Sequence, residues 1–110
     1  SQTGHQVRLY DSNDNLVQRS ETENPQWDLN DGNGGVERIS NSGTSYNVWT
    51  FFKFEFDWAN GTYDYQLEKT DGSHTDTGTQ PLDRSTNVSY IDFVGTNGKY
   101  CRFDELKVKL

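Results

Sequence analysis

The stretch Val48-Trp49-Thr50-Phe51-Phe52-Lys53-Phe54-Glu55-Phe56-Asp57-Trp58 decides the fold. Val48, Phe52, Phe54, Phe56 and Trp58 fall on one face at a period of two, while Lys53, Glu55 and Asp57 fall on the other. That is the pattern of a strand with one face buried. Trp49 and Phe51 take the polar parity. Beyond Asn60-Gly61, Tyr63, Tyr65 and Leu67 alternate with Thr62, Asp64, Gln66 and Glu68, which predicts a hairpin with its aromatic face inward.

Working outward, strands are predicted at Gln6 to Tyr10, Asn15 to Ser20, Gly35 to Ser40, Ser85 to Val94 and Lys99 to Leu110. In the last of these, Cys101 and Phe103 share one parity and Leu106, Val108 and Leu110 the other, which predicts a bulge near Asp104-Glu105. Turn dipeptides at Asp31-Gly32, Asn33-Gly34, Asn60-Gly61, Asp71-Gly72 and Asn97-Gly98 supply the positive φ of tight turns. Asp71 to Pro81 reads as a loop, and no helical period survives a count. The chain is therefore expected to be a single all-β domain over residues 1–110, an antiparallel β-sandwich of jelly-roll type, with a closed barrel as the alternative.

The chain has 110 residues and 12.6 kDa, the scale of one core. Only 30% of it is hydrophobic, but 14% is aromatic, and each buried ring removes about 150–250 Å² from water. A net charge of −7 repels phosphate backbones, so no nucleic-acid partner is expected. No apolar run approaches the roughly 20 residues of a membrane span, so no membrane insertion is expected. The acidic excess also suits a source exposed to high salt. Cys101 stands alone, which excludes an internal disulfide and predicts a buried, inert thiol.

Two segments together carry a family resemblance. One is Trp49-Thr50-Phe51-Phe52-Lys53-Phe54-Glu55-Phe56-Asp57-Trp58-Ala59-Asn60-Gly61-Thr62-Tyr63-Asp64-Tyr65. The other is Ser89-Tyr90-Ile91-Asp92-Phe93, leading to Tyr100-Cys101-Arg102-Phe103-Asp104-Glu105-Leu106-Lys107-Val108. They resemble the C-terminal half of laminin-G-like jelly rolls of the concanavalin A-like lectin and glucanase superfamily. Such domains are usually longer, so the resemblance implies either a compact variant or opening strands before Ser1. In the latter case a strand edge is left open to a neighbouring protein subunit.

Catalysis is not expected. His5 and His74 have no evident orienting partner in the sequence, and Glu55 with Asp57 reads as a solvated outer face rather than a glycosidase pair. Calcium is the one cofactor expected, because hard cations take clustered carboxylate and amide oxygens from loops. The candidate ligands are Asp28, Asn30 and Asp31, beside the plain alternative of Asn/Asp/Gly turns. For a sugar ligand, Trp27 and Tyr46 are the candidate ring platforms, with Arg38 and Asn47 as polar partners. The sequons Asn60-Gly61-Thr62 and Asn87-Val88-Ser89 are candidate glycosylation sites. The leading expectation is a non-catalytic, extracellular or cell-surface carbohydrate-binding or adhesion module. The alternative is a structural subunit or surface domain of a filament, pilus, capsid or spike.

Overall fold

The computed structural model describes residues 5–23, 25–45, 47–95 and 107. Eight strands lie among them: β1 (His5–Tyr10), β2 (Leu16–Glu23), β3 (Gln26–Asn30), β4 (Val36–Ser40), β5 (Thr50–Asp57), β6 (Thr62–Lys69), β7 (Thr75–Pro81) and β8 (Tyr90–Val94). They form two sheets, ordered β4-β3-β2-β1-β8 and β5-β6-β7. Every strand pairing is antiparallel. The domain is an antiparallel β-sandwich, and no described helix is long and apolar enough to cross a membrane.

The β5–β6 hairpin forms in the expected register, Phe52 opposite Leu67, Phe54 opposite Tyr65 and Phe56 opposite Tyr63. Its inner face meets Val17, Trp27 and Leu29 of the larger sheet, and Leu82 closes the cluster. Phe56 and Trp58 stack at 5.1 Å and 17°, while the rings at the centre of the core meet at angles. Trp27 lies 5.5 Å from Phe52 and meets Tyr65 edge-on at 5.4 Å, and Tyr63 meets Phe54 edge-on at 5.5 Å. Such pairs add about 0.5–1.5 kcal/mol each beyond area burial. A polar seam crosses this apolar core. Gln18 Nε2 donates to Ser20 Oγ at 3.0 Å, the Tyr63 hydroxyl donates to Asn30 Oδ1, and Asn30 Nδ2 donates to the Pro81 carbonyl at 2.8 Å.

Two strands are present that the sequence pattern did not announce. β3 is short and framed by Pro25 and Asp31, yet Trp27 and Leu29 alternate inward along it. β7 replaces the expected loop: its Thr residues suit the pleated backbone, but Gln80 is its one buried side chain, so no apolar period marks it. The strand expected from Ser85 shrinks to β8, because residues 82–89 cross between the sheets. The Leu82 N–H donates to the Gly61 carbonyl at 2.8 Å, that of Asp83 to Val17 at 3.0 Å and that of Ser89 to Tyr10 at 2.7 Å. Register shifts occur at Leu9/Tyr10 and Trp27/Asp28. Tyr46, Asn97-Gly98, Cys101 and the bulge expected at Asp104-Glu105 lie outside the described residues, as does the last predicted strand apart from Lys107.

Candidate functional site

Two hairpin tips and the start of the crossover meet at one end of the sandwich. The tips are built by the same device, an Asp side chain that gathers the N–H groups of its own turn. Asp11 Oδ1 accepts from Asn13 and Asn15, both at 2.9 Å. Asp31 Oδ1 accepts from Asn33 at 2.7 Å and Gly35 at 3.2 Å. Gly32 and Gly34 both sit at φ +86°, and Asp14 itself adopts φ +62°. Left-handed φ at these positions favours Gly, Asn and Asp, the residue types that the sequence supplies.

Between these tips lies a cavity of about 390 Å³, within the range of small-ligand sites. Tyr10, Asp14, Asn15 and Leu16 line one side of it; Gly32, Asn33, Gly34, Asp83 and Arg84 line the other. Asp83 is held by its own N–H, and its Oδ1 accepts at the long distance of 3.4 Å from the Gly34 N–H. Its Oδ2 is sealed from solvent with no hydrogen-bond partner among the described residues. An unpaired buried acceptor of this kind costs about 1–3 kcal/mol.

The aromatic wall is pre-set. Tyr10 stacks on Tyr90 at 5.0 Å and 15°, and the Tyr90 hydroxyl donates to Asp14 Oδ1 at 2.8 Å. That bond to a carboxylate pushes the Tyr90 phenol up to about 12. The cavity therefore combines a ring, two carboxylates, two amide side chains and one guanidinium. Such a set can stack on an apolar ring face while exchanging hydrogen bonds with several hydroxyls.

Of the residues singled out in the sequence, those that are described do not assemble into one site, although Asp28 and Arg38 lie 3.8 Å apart. Trp27, expected as a surface platform, has 0% exposure, because it shares the inward parity of Leu29 and packs on Phe52 and Tyr65. Exposed rings among the described residues are instead Trp49 (52%) and Phe51 (50%), on the outward parity where the chain enters β5, and Phe93 (44%) and Tyr90 (38%) on β8. Arg38 is exposed on β4, its Nη2 donating to Gln26 Oε1 at 2.8 Å, and Asn47 is exposed at φ +59°.

The three expected calcium ligands have separate partners. Asp28 faces Arg38 at 3.8 Å, and burial raises its pKa above the usual carboxylate value. The Asn30 side chain is buried in the core seam, and Asp31 serves its own turn. Among the described residues no group of three or more His, Cys, Asp or Glu is arranged to hold a metal ion.

His74 does have partners, supplied by β4 and β7. Its Nε2 lies 3.0 Å from Ser40 Oγ and 2.7 Å from Asp76 Oδ2. Both contacts fall on the same nitrogen, which ties the ring down rather than passing a proton through it. Lys53 and Glu55 pair at 2.8 Å on the exposed outer face. For the rim cavity the legible signal was the pair of Asp-initiated turns; Asp83 and Arg84 carried none. No family model, curated protein or solved structure matches this chain.

Proposed function

We propose that the chain is a non-catalytic carbohydrate-binding module of an extracellular or cell-surface protein, with its sugar seated in the rim cavity. The observation that carries this reading is the rim cavity itself, where Tyr10 stands beside the carboxylates of Asp14 and Asp83, the amides of Asn15 and Asn33 and the guanidinium of Arg84. Carboxylates and amides accept from sugar hydroxyls and a guanidinium donates to them, which is the polar complement that fixes a sugar in a pocket. Tyr10 offers a pre-ordered ring, already stacked on Tyr90, for the apolar face of a pyranose.

The test is a glycan-array screen followed by calorimetric titration of the best oligosaccharide. The variants are Asp83→Asn, Tyr10→Ala and Arg84→Ala, each checked for the wild-type circular dichroism spectrum. Loss of affinity of roughly tenfold or more in Asp83→Asn and Tyr10→Ala supports the site, in line with about 1.4 kcal/mol per tenfold. Unchanged affinity in all three folded variants sinks it. A parallel titration with EDTA decides whether binding depends on calcium. The second reading, a structural subunit of a surface assembly, draws on the edge of β5.

A further inference from the structure

β5 is an end strand: it pairs with β6 on one side, and among the described residues no strand pairs with its other side. An unpaired edge of eight residues is a template for another strand unless its side chains forbid it. The outward side chains of β5 are Phe51, Lys53, Glu55 and Asp57, and the inward ones are Phe52, Phe54 and Phe56, all only half-buried.

Consider two copies of this edge related by a two-fold axis normal to the sheet. Opposed residues then share a face, and some residue of β5 must stand opposite itself. With Lys53 or Glu55 on the axis, two like charges meet. With Phe56 on the axis, Glu55 meets Asp57 twice. With Phe52 on the axis, Lys53 faces Phe51 and neither charge finds a partner. With Phe54 on the axis, each Lys53 faces Glu55 of the second copy. Like charges directly opposite are destabilising and opposite charges are favourable, so the pattern selects one register. The same register sets Phe52 against Phe56 of the second copy, covering rings that one chain leaves half-buried. Lys53 and Glu55 already pair at 2.8 Å within the strand, so the four charges close into a square.

We propose that two copies of this chain join edge to edge through antiparallel β5 strands with Lys53 opposite Glu55, extending the three-stranded sheet across the pair. This inference is independent of the sugar-binding reading, because neither charge lines the rim cavity.

The experiment is sedimentation equilibrium of the wild-type chain, Lys53→Glu, Glu55→Lys and the double variant. The expected result is a wild-type mass of twice 12.6 kDa at concentrations above a dissociation constant on the order of micromolar. Each single variant is expected to remain monomeric there, since it sets like charges opposite each other. The double variant, and an equimolar mixture of the two single variants, each restore opposite charges at both positions and recover the dimer. Recovery in the mixture separates loss of pairing from loss of fold. A monomeric wild-type chain, whether its edge is covered by another segment or stays open, overturns the proposal. So do single variants that remain dimeric, or a mixture that stays monomeric.

Discussion

The Tyr63 hydroxyl donates to Asn30 Oδ1 between the two sheets, inside a core where both side chains have no exposed surface. The bond ties β6 to the end of β3, and Asn30 passes the connection on through Nδ2 to the Pro81 carbonyl at 2.8 Å. Burial pushes the Tyr63 phenol well above its ordinary value, which keeps it a donor at neutral pH. Tyr63→Phe keeps the ring and strands the Asn30 oxygen, and it is expected to cost about 1–3 kcal/mol. Urea denaturation measures this as a lower midpoint at unchanged slope. A loss below about 0.5 kcal/mol, the scale of an ordinary surface substitution, contradicts the bond's role.

Two aspartates are expected to act on stability with opposite signs. The Asn15 N–H is the strongest influence holding the Asp11 carboxyl below 3.8, against some desolvation, with help from Asn13, the Asn15 side chain and Thr86. Its contribution is full above the unfolded value and is lost as the pH falls through the lower native value. Asp28 is raised instead, chiefly by burial, with Arg38 offsetting only part of it. The native state then holds its proton longer than the unfolded chain, so Asp28 subtracts stability as the pH rises above 3.8. Asp11→Asn therefore lowers the Tm at pH 7 and flattens the acid limb, whereas Asp28→Asn raises the Tm at pH 7 and leaves it unchanged near pH 3. Thermal melts from acid to neutral pH check both.

Gly78 stands opposite Tyr65 in the β6–β7 ladder, and a Cβ there would come within 2.5 Å of the Tyr65 hydroxyl. Gly78→Ala is expected to displace that ring from its edge contact with Trp27, at a cost of about 1–3 kcal/mol. Gly34→Ala meets no neighbour within 4 Å but is strained by φ +86°, so near-ultraviolet circular dichroism separates the two: Gly78→Ala changes the aromatic signal and Gly34→Ala does not. The same contact explains why β7 was illegible. Its partner Tyr65 supplies the ring that fills the inward space over Gly78, so the strand needs no apolar side chain of its own there. A pattern read within one segment misses a core contributed by its neighbour. β5 and β6 were legible for the converse reason: each carries its own alternating aromatic face. The rim cavity divides the same way, its Asp-initiated turns visible locally and Asp83 placed there only by the crossover.

Trp27 and Trp49 exchange the roles that their sequence surroundings suggest. Polar neighbours, Gln26 and Asp28, surround Trp27, yet strand parity sends its ring to the centre of the core; Trp49 opens the most apolar strand, yet parity sends it outward. Neighbour polarity reports the surface the backbone crosses, whereas parity decides which side a ring takes. Trp27→Ala is expected to cost about 3–5 kcal/mol through the lost ring and the cavity left beneath Phe52 and Tyr65. Trp27→Phe is expected to cost less than the lost volume suggests, because the Trp27 Nε1–H is buried with no hydrogen-bond partner among the described residues. Trp49→Ala is expected to change stability by no more than about 0.5 kcal/mol. Denaturation of the three variants, with acrylamide quenching of the wild-type and Trp49→Ala fluorescence, checks the assignment. The most readily quenched component must be lost in Trp49→Ala, leaving the partly exposed Trp58 and the buried Trp27, and its undiminished persistence there would place the wrong indole at the surface.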